Sequence, residues 1–243
     1  MITFRDLNNW GRFGNQLFYI ASTIGIAERQ GYNFGFPEWK YQQWFEFPLP
    51  IMESTMGNYS EPFFKYDEVV CADNTNLSGY FQSDKYFNHC DDLVEYYFQF
   101  KKEVVEKIKN KYEHILDGNT CAVHVRRGDY VNNKNHPVLD INYYRKAFNK
   151  MGNCRFLVFS DDIDWCKQTM GNLLFIERGN EVEDFILMSL CKNFIIANSS
   201  YSWWAAWLSK NKDKKIIAPY KWFGSGLAHH STVDLIPDEW IRV

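Results

Sequence analysis

Arg126 and Arg127 stand side by side in His124-Val-Arg-Arg-Gly-Asp129, and two adjacent guanidinium groups offer fixed forks of donors matched to phosphate oxygens. Farther on, Asn198-Ser199-Ser200 opens a Trp-rich segment, where hydroxyls and the N–H groups of a helix start can cradle an anion. A diphosphate suits both clusters. Each also has a plainer use: the arginines can pair with Asp129, and the serines can cap a helix. A third cluster, Asp161-Asp162-Ile163-Asp164, has Asp-x-Asp spacing that could chelate Mg²⁺ or Mn²⁺ beside a diphosphate. The same carboxylates could cap the following helix instead. The arginines already supply positive charge, so capping or nucleotide contact is the expected role and no metal is expected.

Other phosphate and metal signatures are missing. The chain has no GxxxxGK[ST], no GxGxxG, no HExxH and no metal-spaced Cys/His cluster. Gly11-x-x-Gly14 alone only permits a turn. His89, His114, His136, His229 and His230 show no partner pattern and read as surface or core residues.

The elements that must position these groups follow from periodicity. Short apolar strands are predicted at 121–125, 155–159, 173–176, 194–197 and 215–218, alternating with helices at 142–150, 163–170, 182–191 and 201–208. That alternation implies a parallel sheet covered on both faces. Ligands of such sheets bind beyond the carboxyl ends of the strands. Those ends carry Arg126, Arg127, Gly128 and Asp129; Ser160, Asp161 and Asp162; Glu177, Arg178 and Gly179; and Asn198, Ser199 and Ser200. Four polar strand ends on one rim mark a site. The start of the chain reads as a strand at Ile2-Thr3-Phe4, a glycine loop at Gly11-Arg-Phe-Gly14-Asn15, and a helix from Gln16 to Gln30 stopped by Gly31. Residues 37–100, broken by Pro37, Pro48, Pro50 and Pro62, are expected to form loops and short elements, and 100–111 an exposed helix.

The chain has 243 residues, 46% of them hydrophobic and 23% charged, enough to bury a substantial core in one large or two small domains. The net charge of -3 argues against a nucleic-acid binder. An aromatic share of 18% suits a sugar-handling surface, although most of these rings are expected in the core. No run of about 18 apolar residues suggests a membrane span. The first residues lack the basic-then-apolar pattern of a secretory signal. Six scattered cysteines without a CxxC pair read as reduced thiols of a cytoplasmic protein, so the sequon at Asn198 carries no meaning. Peripheral membrane contact and the oligomeric state stay open.

Four segments carry a family resemblance: Gly11-Arg-Phe-Gly-Asn-Gln-Leu-Phe18, His124-Val-Arg-Arg-Gly-Asp-Tyr130, Phe159-Ser-Asp-Asp162 and Asn198-Ser-Ser-Tyr-Ser-Trp-Trp204. In that order they resemble the motifs of the α-1,2-fucosyltransferases of glycosyltransferase family 11. Asp184-Phe-Ile-Leu-Met-Ser-Leu-Cys191 and Ala218-Pro-x-x-Trp-Phe223 are also similar to it. The glycine-asparagine loop and the HxR motif are shared with protein O-fucosyltransferases and α-1,6-fucosyltransferases. The resemblance implies an α/β, GT-B-like fold: a Rossmann-like C-terminal nucleotide domain at 117–243 and a smaller N-terminal α/β lobe at 1–116 on the acceptor side. It further implies GDP-fucose as donor substrate, an oligosaccharide or glycan acceptor, inversion at the anomeric carbon, and no metal or other cofactor. Arg126 would bind the β-phosphate, with His124 and Arg127 shaping the pocket. Ser199, Ser200 and Tyr201 would contact the diphosphate, Asn198 heads that motif, and Asn15, beside Gly14, would approach the donor from the first lobe. Guanine's N–H donors call for a carboxylate, with Asp161, Asp162 and Asp184 as candidates. No motif fixes the catalytic base; Asp129 is the nearest motif carboxylate, and it could instead lock the arginines. Two other readings remain: a non-catalytic GDP-sugar or glycan-binding module, and a metal-dependent transferase using Asp162 and Asp164. The chain is short for the family in its first half.

Overall fold

The computed structural model describes residues 1–116, 118–177 and 179–243, so Arg178 of the predicted rim lies outside the described residues. The chain forms two compact units. Met1–Lys102 with His230–Pro237 makes the first, and Glu103–His229 with Asp238–Val243 the second.

The second unit carries the regular pattern. It comprises α3 (Lys102–Leu116, opening at the boundary), β5 (Thr120–Val125), α4 (Ile141–Met151), β6 (Arg155–Ser160), α5 (Ile163–Thr169), β7 (Leu174–Phe175), α6 (Glu181–Ser189), β8 (Asn193–Ile195), α7 (Ser200–Trp207), β9 (Ile216–Ala218) and β10 (Ile241–Arg242). The strands form one sheet in the order β10-β9-β8-β5-β6-β7. Every neighbouring pair is parallel, with Val123 opposite both Val158 and Ile195. On one face Cys121, Val123 and Val125 pack with Tyr144 and Ala147 of α4 and Cys166 of α5. Residues alternate sides along a strand, so His124 faces the other way, where Nδ1 lies 2.9 Å from Ser202 Oγ of α7. Helix starts are fixed by local caps: Asp140 accepts the Tyr143 N–H, Asp162 the Trp165 N–H and Asn180 the Val182 N–H. α3 belongs to this unit and not before the boundary that the sequence predicts at 116. It buries Ile108, and Lys107 Nζ lies 3.0 Å from Glu183 Oε1 on α6.

The first unit contains β1 (Ile2–Thr3), α1 (Phe13–Gln30), β2 (Phe34–Gly35), β3 (Gly57–Ser60), β4 (Thr75–Ser78) and α2 (Asp91–Tyr97). Its sheet runs β2-β1-β4-β3, again parallel throughout. The sequence predicts only loops and short pieces where β3 and β4 lie, because Gly-Asn-Tyr-Ser and Thr-Asn-Leu-Ser lack apolar alternation. They hold by polar bonds instead. Asn76 Oδ1 accepts the Arg5 N–H at 2.8 Å, and the buried hydroxyls of Thr3 and Thr55 lie 3.1 Å apart. The return segment His230–Pro237 is tied in by Asp234, which pairs with Lys85 and accepts the Tyr66 N–H at 3.2 Å. Among the described residues no helix is long and apolar enough to cross a membrane.

α1 is buried along most of its length, and Gly25 is the point of tightest approach. A Cβ there would collide with the Tyr86 carbonyl oxygen and the Phe87 backbone. Backbone cannot swing aside as a side-chain tip can. Gly25→Ala is therefore expected to destabilise the protein by about 1–3 kcal/mol despite alanine's better helix propensity, measured by denaturant unfolding.

Candidate active site

In the second unit the chain runs from β5 through β6 to β7 on one side and then crosses to β8 on the other. The switch in direction lies between β5 and β8, and ligands of open parallel sheets bind outside the carboxyl ends at that point. Arg126 leaves the end of β5, and Asn198, Ser199 and Ser200 follow β8 at the start of α7.

The two arginines are held differently. Arg126 Nη1 lies 2.8 Å from Asp161 Oδ2, Nη2 pairs with Asp129, and the guanidinium sits 5.3 Å from the Tyr130 ring centroid. Two of its five N–H donors are engaged, which leaves three for a ligand. Arg127 turns toward α5. Its Nε donates to Asp162 Oδ2 at 2.9 Å, and its guanidinium stacks 4.1 Å from the Trp165 ring centroid. Its backbone N–H donates to Asp161 Oδ1 at 2.8 Å. Asp161 thus fastens both arginines, and Gly128 leaves room for it, since a Cβ there would lie 2.5 Å from Asp161 Oδ2.

These contacts redistribute the predicted roles. Asp161 and Asp162 hold arginines, and Asp162 also caps α5, so neither matches the expected guanine contact well. The Arg127 guanidinium keeps the Asp162 carboxyl below its usual range. Asp129 takes the arginine-locking alternative. Asp184 lies elsewhere, accepting the Gly179 N–H at 3.1 Å and lining a cavity of about 590 Å³ with Lys107, Lys111, Tyr112 and Glu177. Among the described residues no group of three or more His, Cys, Asp or Glu side chains is disposed to hold a metal ion.

Asn198 is a brace. Its Nδ2 donates to the Pro137 and Trp222 carbonyls at 3.0 and 2.9 Å, and its own carbonyl accepts the Tyr130 hydroxyl at 3.2 Å. Ser199 is the extended N-cap residue of α7 and makes no side-chain cap bond. Tyr201 donates its hydroxyl to the Glu181 carbonyl at 2.6 Å, and its ring centroid lies 5.5 Å from that of His124. Tyr130 and Trp165 were missed as arginine supports from sequence. Tyr130 closes the arginine run, but a ring's stacking partner leaves no mark in spacing.

Gly14 and Asn15 lie in the first unit, at the start of α1 beside the carboxyl end of β1. Gly11 makes that approach with φ 63°, and a Cβ there would lie 2.6 Å from the Asn15 Cβ. Asn15 Oδ1 accepts from Gln82 Nε2 at 3.0 Å, joining α1 to the segment that leaves β4.

Two parallel-sheet α/β units, one with arginines and a serine-started helix at its switch point, make this a GT-B-like glycosyltransferase fold. The family model of glycosyl transferase family 11 matches residues 39–243. An O-antigen biosynthesis glycosyltransferase, WbnK of Escherichia coli, is 36% identical over 96% of this chain and 74% of its own. An α-1,2-colitosyltransferase of the same organism is 37% identical over 76% of this chain and 68% of its own. The solved structure of NodZ α-1,6-fucosyltransferase soaked with GDP-fucose superposes with a TM-score of 0.55 at 17% identity, covering 85% of this chain and 91% of that one, which shows a shared fold. The chain belongs to glycosyl transferase family 11.

His124 is the buried titratable group of this rim. Burial, and next the Arg126 guanidinium, push its imidazole down to about 3, so it is neutral in the folded chain. In the unfolded chain it titrates near 6.5, so between these values the unfolded state binds the extra proton. Stability from this residue is complete above about pH 6.5 and is lost as pH falls toward 3. The stability advantage of wild type over His124→Asn should shrink by up to about 1.4 kcal/mol per pH unit on acidification from pH 6.5 to 5, measured by urea unfolding at each pH.

Proposed function

We propose that this chain transfers L-fucose from GDP-fucose to a hydroxyl of a glycan acceptor, with inversion and without a metal ion. The family resemblance points to the 2-position of a galactoside. The observation that carries the reading is Arg126: it is fixed by Asp161 and Asp129 at the switch point, with donors left over for a diphosphate. When the anomeric carbon is attacked, negative charge builds on the leaving GDP. A preorganised guanidinium and the start of α7 neutralise it as a metal ion does in other transferases. Asp184, which lines the cavity, is the preferred guanine partner. Six unpaired thiols fit a cytoplasmic setting. Similarity to an α-1,2-colitosyltransferase makes an activated colitose the alternative donor.

The Asp162/Asp164 metal reading is disfavoured because Asp162 already accepts from Arg127 and the Trp165 N–H. Transfer should accordingly persist in excess EDTA; loss of activity with EDTA and its return with Mn²⁺ would establish the metal reading instead. Calorimetric titration should show GDP and GDP-fucose bound at least about tenfold more tightly than UDP and UDP-sugars, with GDP-colitose compared in the same series; tenfold is about 1.4 kcal/mol. UDP binding as tight as GDP would refute the donor assignment.

Arg126→Ala should lower kcat about 10²–10³-fold, and Arg126→Lys should recover only a small part, because lysine keeps the charge but loses the planar fork. Arg127→Ala should act mainly on stability, since its guanidinium is stacked on Trp165. Initial rates on variants shown folded by circular dichroism test both. Near-normal turnover by folded Arg126→Ala would remove this residue from the mechanism.

A further inference from the structure

The loop that leaves β5 folds back on the arginine rim, wholly within the second unit. Asn132 turns the chain with a left-handed φ of 62°, a conformation that asparagine tolerates. Asn133 then ties the loop. Its Nδ2 donates to the Asp129 carbonyl at 3.1 Å, and its Oδ1 accepts the Asn135 and His136 N–H groups at 2.8 and 3.2 Å. The segment after β9 clasps this loop. Gly224 and Gly226 donate their N–H groups to the Asn135 and Lys134 carbonyls at 2.8 and 3.0 Å. The approach is close: a Cβ on Gly224 would collide with the Lys134 carbonyl oxygen, and one on Gly226 with Asn135 Oδ1. Asn198 braces both segments by donating to the Pro137 and Trp222 carbonyls.

The clasp sets a row of flat groups that ends on Arg126. The Arg126 guanidinium lies over the Tyr130 ring, 5.3 Å from its centroid. The His136 imidazole stacks on the same ring, with centroids 5.0 Å apart and planes 20° from parallel. Phe223, in the clasping segment, meets the imidazole at 5.6 Å. No polar bond at Nδ1 accounts for the place of His136, because that nitrogen is buried without a hydrogen-bond partner. Burying it costs free energy, so packing against Tyr130 and Phe223 is what holds the ring. Burial pushes the imidazole below its usual range; the Asp129 carboxylate opposes this and the Arg126 guanidinium adds to it. His136 is therefore a neutral ring at and above pH 7.

Tyr130 donates its hydroxyl to the Asn198 carbonyl at 3.2 Å, and a ring held at its tip can still pivot about that bond. An imidazole against the ring removes that freedom, and the guanidinium resting on Tyr130 is steadied with it. We propose that His136 is a positioning residue of the donor site, which acts through Tyr130 to hold Arg126 in the orientation that receives the β-phosphate of a nucleoside diphosphate. The inference rests on the GDP-fucose reading above and deepens it. No bond is made or broken at His136. A guanidinium held before its ligand arrives loses less freedom on binding, and it meets the charge developing on the leaving diphosphate without reorganising. A nucleoside monophosphate lacks the group for which Arg126 is held, so its binding is indifferent to the stack.

The test is calorimetric titration of GDP and GMP into wild type, His136→Ala, His136→Phe, Arg126→Ala and the double variant His136→Ala/Arg126→Ala, each shown folded by circular dichroism. His136→Ala should weaken GDP about five- to tenfold and GMP by less than about twofold; tenfold is about 1.4 kcal/mol. His136→Phe keeps a flat ring against Tyr130 and should recover most of the loss. In the Arg126→Ala background, His136→Ala should have no further effect on GDP, because it acts through that guanidinium. Equal losses for GDP and GMP, a His136→Phe as weak as His136→Ala, or additive losses in the double variant overturn the proposal. Arg126→Ala that loses GDP affinity beside an unaffected His136→Ala overturns this inference alone. Wild type that binds no GDP, or Arg126→Ala that binds it as wild type does, overturns the donor reading along with it. Should His136→Ala fail to fold, His136→Leu, which fills the space without a flat face, takes its place under the same criteria.

Discussion

One carboxylate holds the arginine rim together. Asp161 accepts from the Arg127 backbone on one oxygen and from the Arg126 guanidinium on the other, so the end of β6 is tied to the end of β5. Arg127 then pairs with Asp162 and stacks on Trp165, and Arg126 is steadied by Asp129 and Tyr130. A guanidinium fixed before its ligand arrives loses little entropy on binding, and its field need not reorganise as charge develops. The cost is that partly buried charges must be matched closely, because a guanidinium or carboxylate left alone there would be strongly destabilising. Gly128 is part of that match, since any side chain would displace Asp161.

The same geometric rule operates in each unit. A parallel sheet whose chain reverses direction leaves a crevice between two strand ends, and each unit places its distinctive polar groups there. In the second unit the crevice carries Arg126, paired with Asp129 and Asp161 at the end of β5, and the serine-started α7 follows the neighbouring β8. In the first it is lined by an amide pair and a carboxylate: Asn15, Gln82 and Glu61. The chemistry differs because different residues follow the strands, while the architecture that exposes them is alike.

Much of the second unit was legible from sequence because its strands are apolar and α4, α5 and α6 carry side-chain caps. Val123, Val158 and Ile195 mark buried strands whichever way they pair, and Asp140, Asp162 and Asn180 each cap the helix that follows. The first unit was legible only at β1 and α1. β3 and β4 hold by polar bonds among Thr3, Arg5, Asn58 and Asn76, and hydrogen bonding between residues some seventy positions apart leaves no periodic trace. For the same reason α3 was placed with the wrong unit: its partner is Glu183, far along the chain.

Residue type and order determined by themselves that an arginine pair follows one strand, a carboxylate pair a second and a serine pair a third. They also fixed the helix caps and the family, since these depend on neighbours in the chain. Which partners each arginine takes, which aspartates are committed to holding them, and that Glu61 is seated over Gly79 were decided only by tertiary structure. A side chain's partner is set by the pairing of distant strands, and that pairing fixes distances and burial that no local pattern encodes.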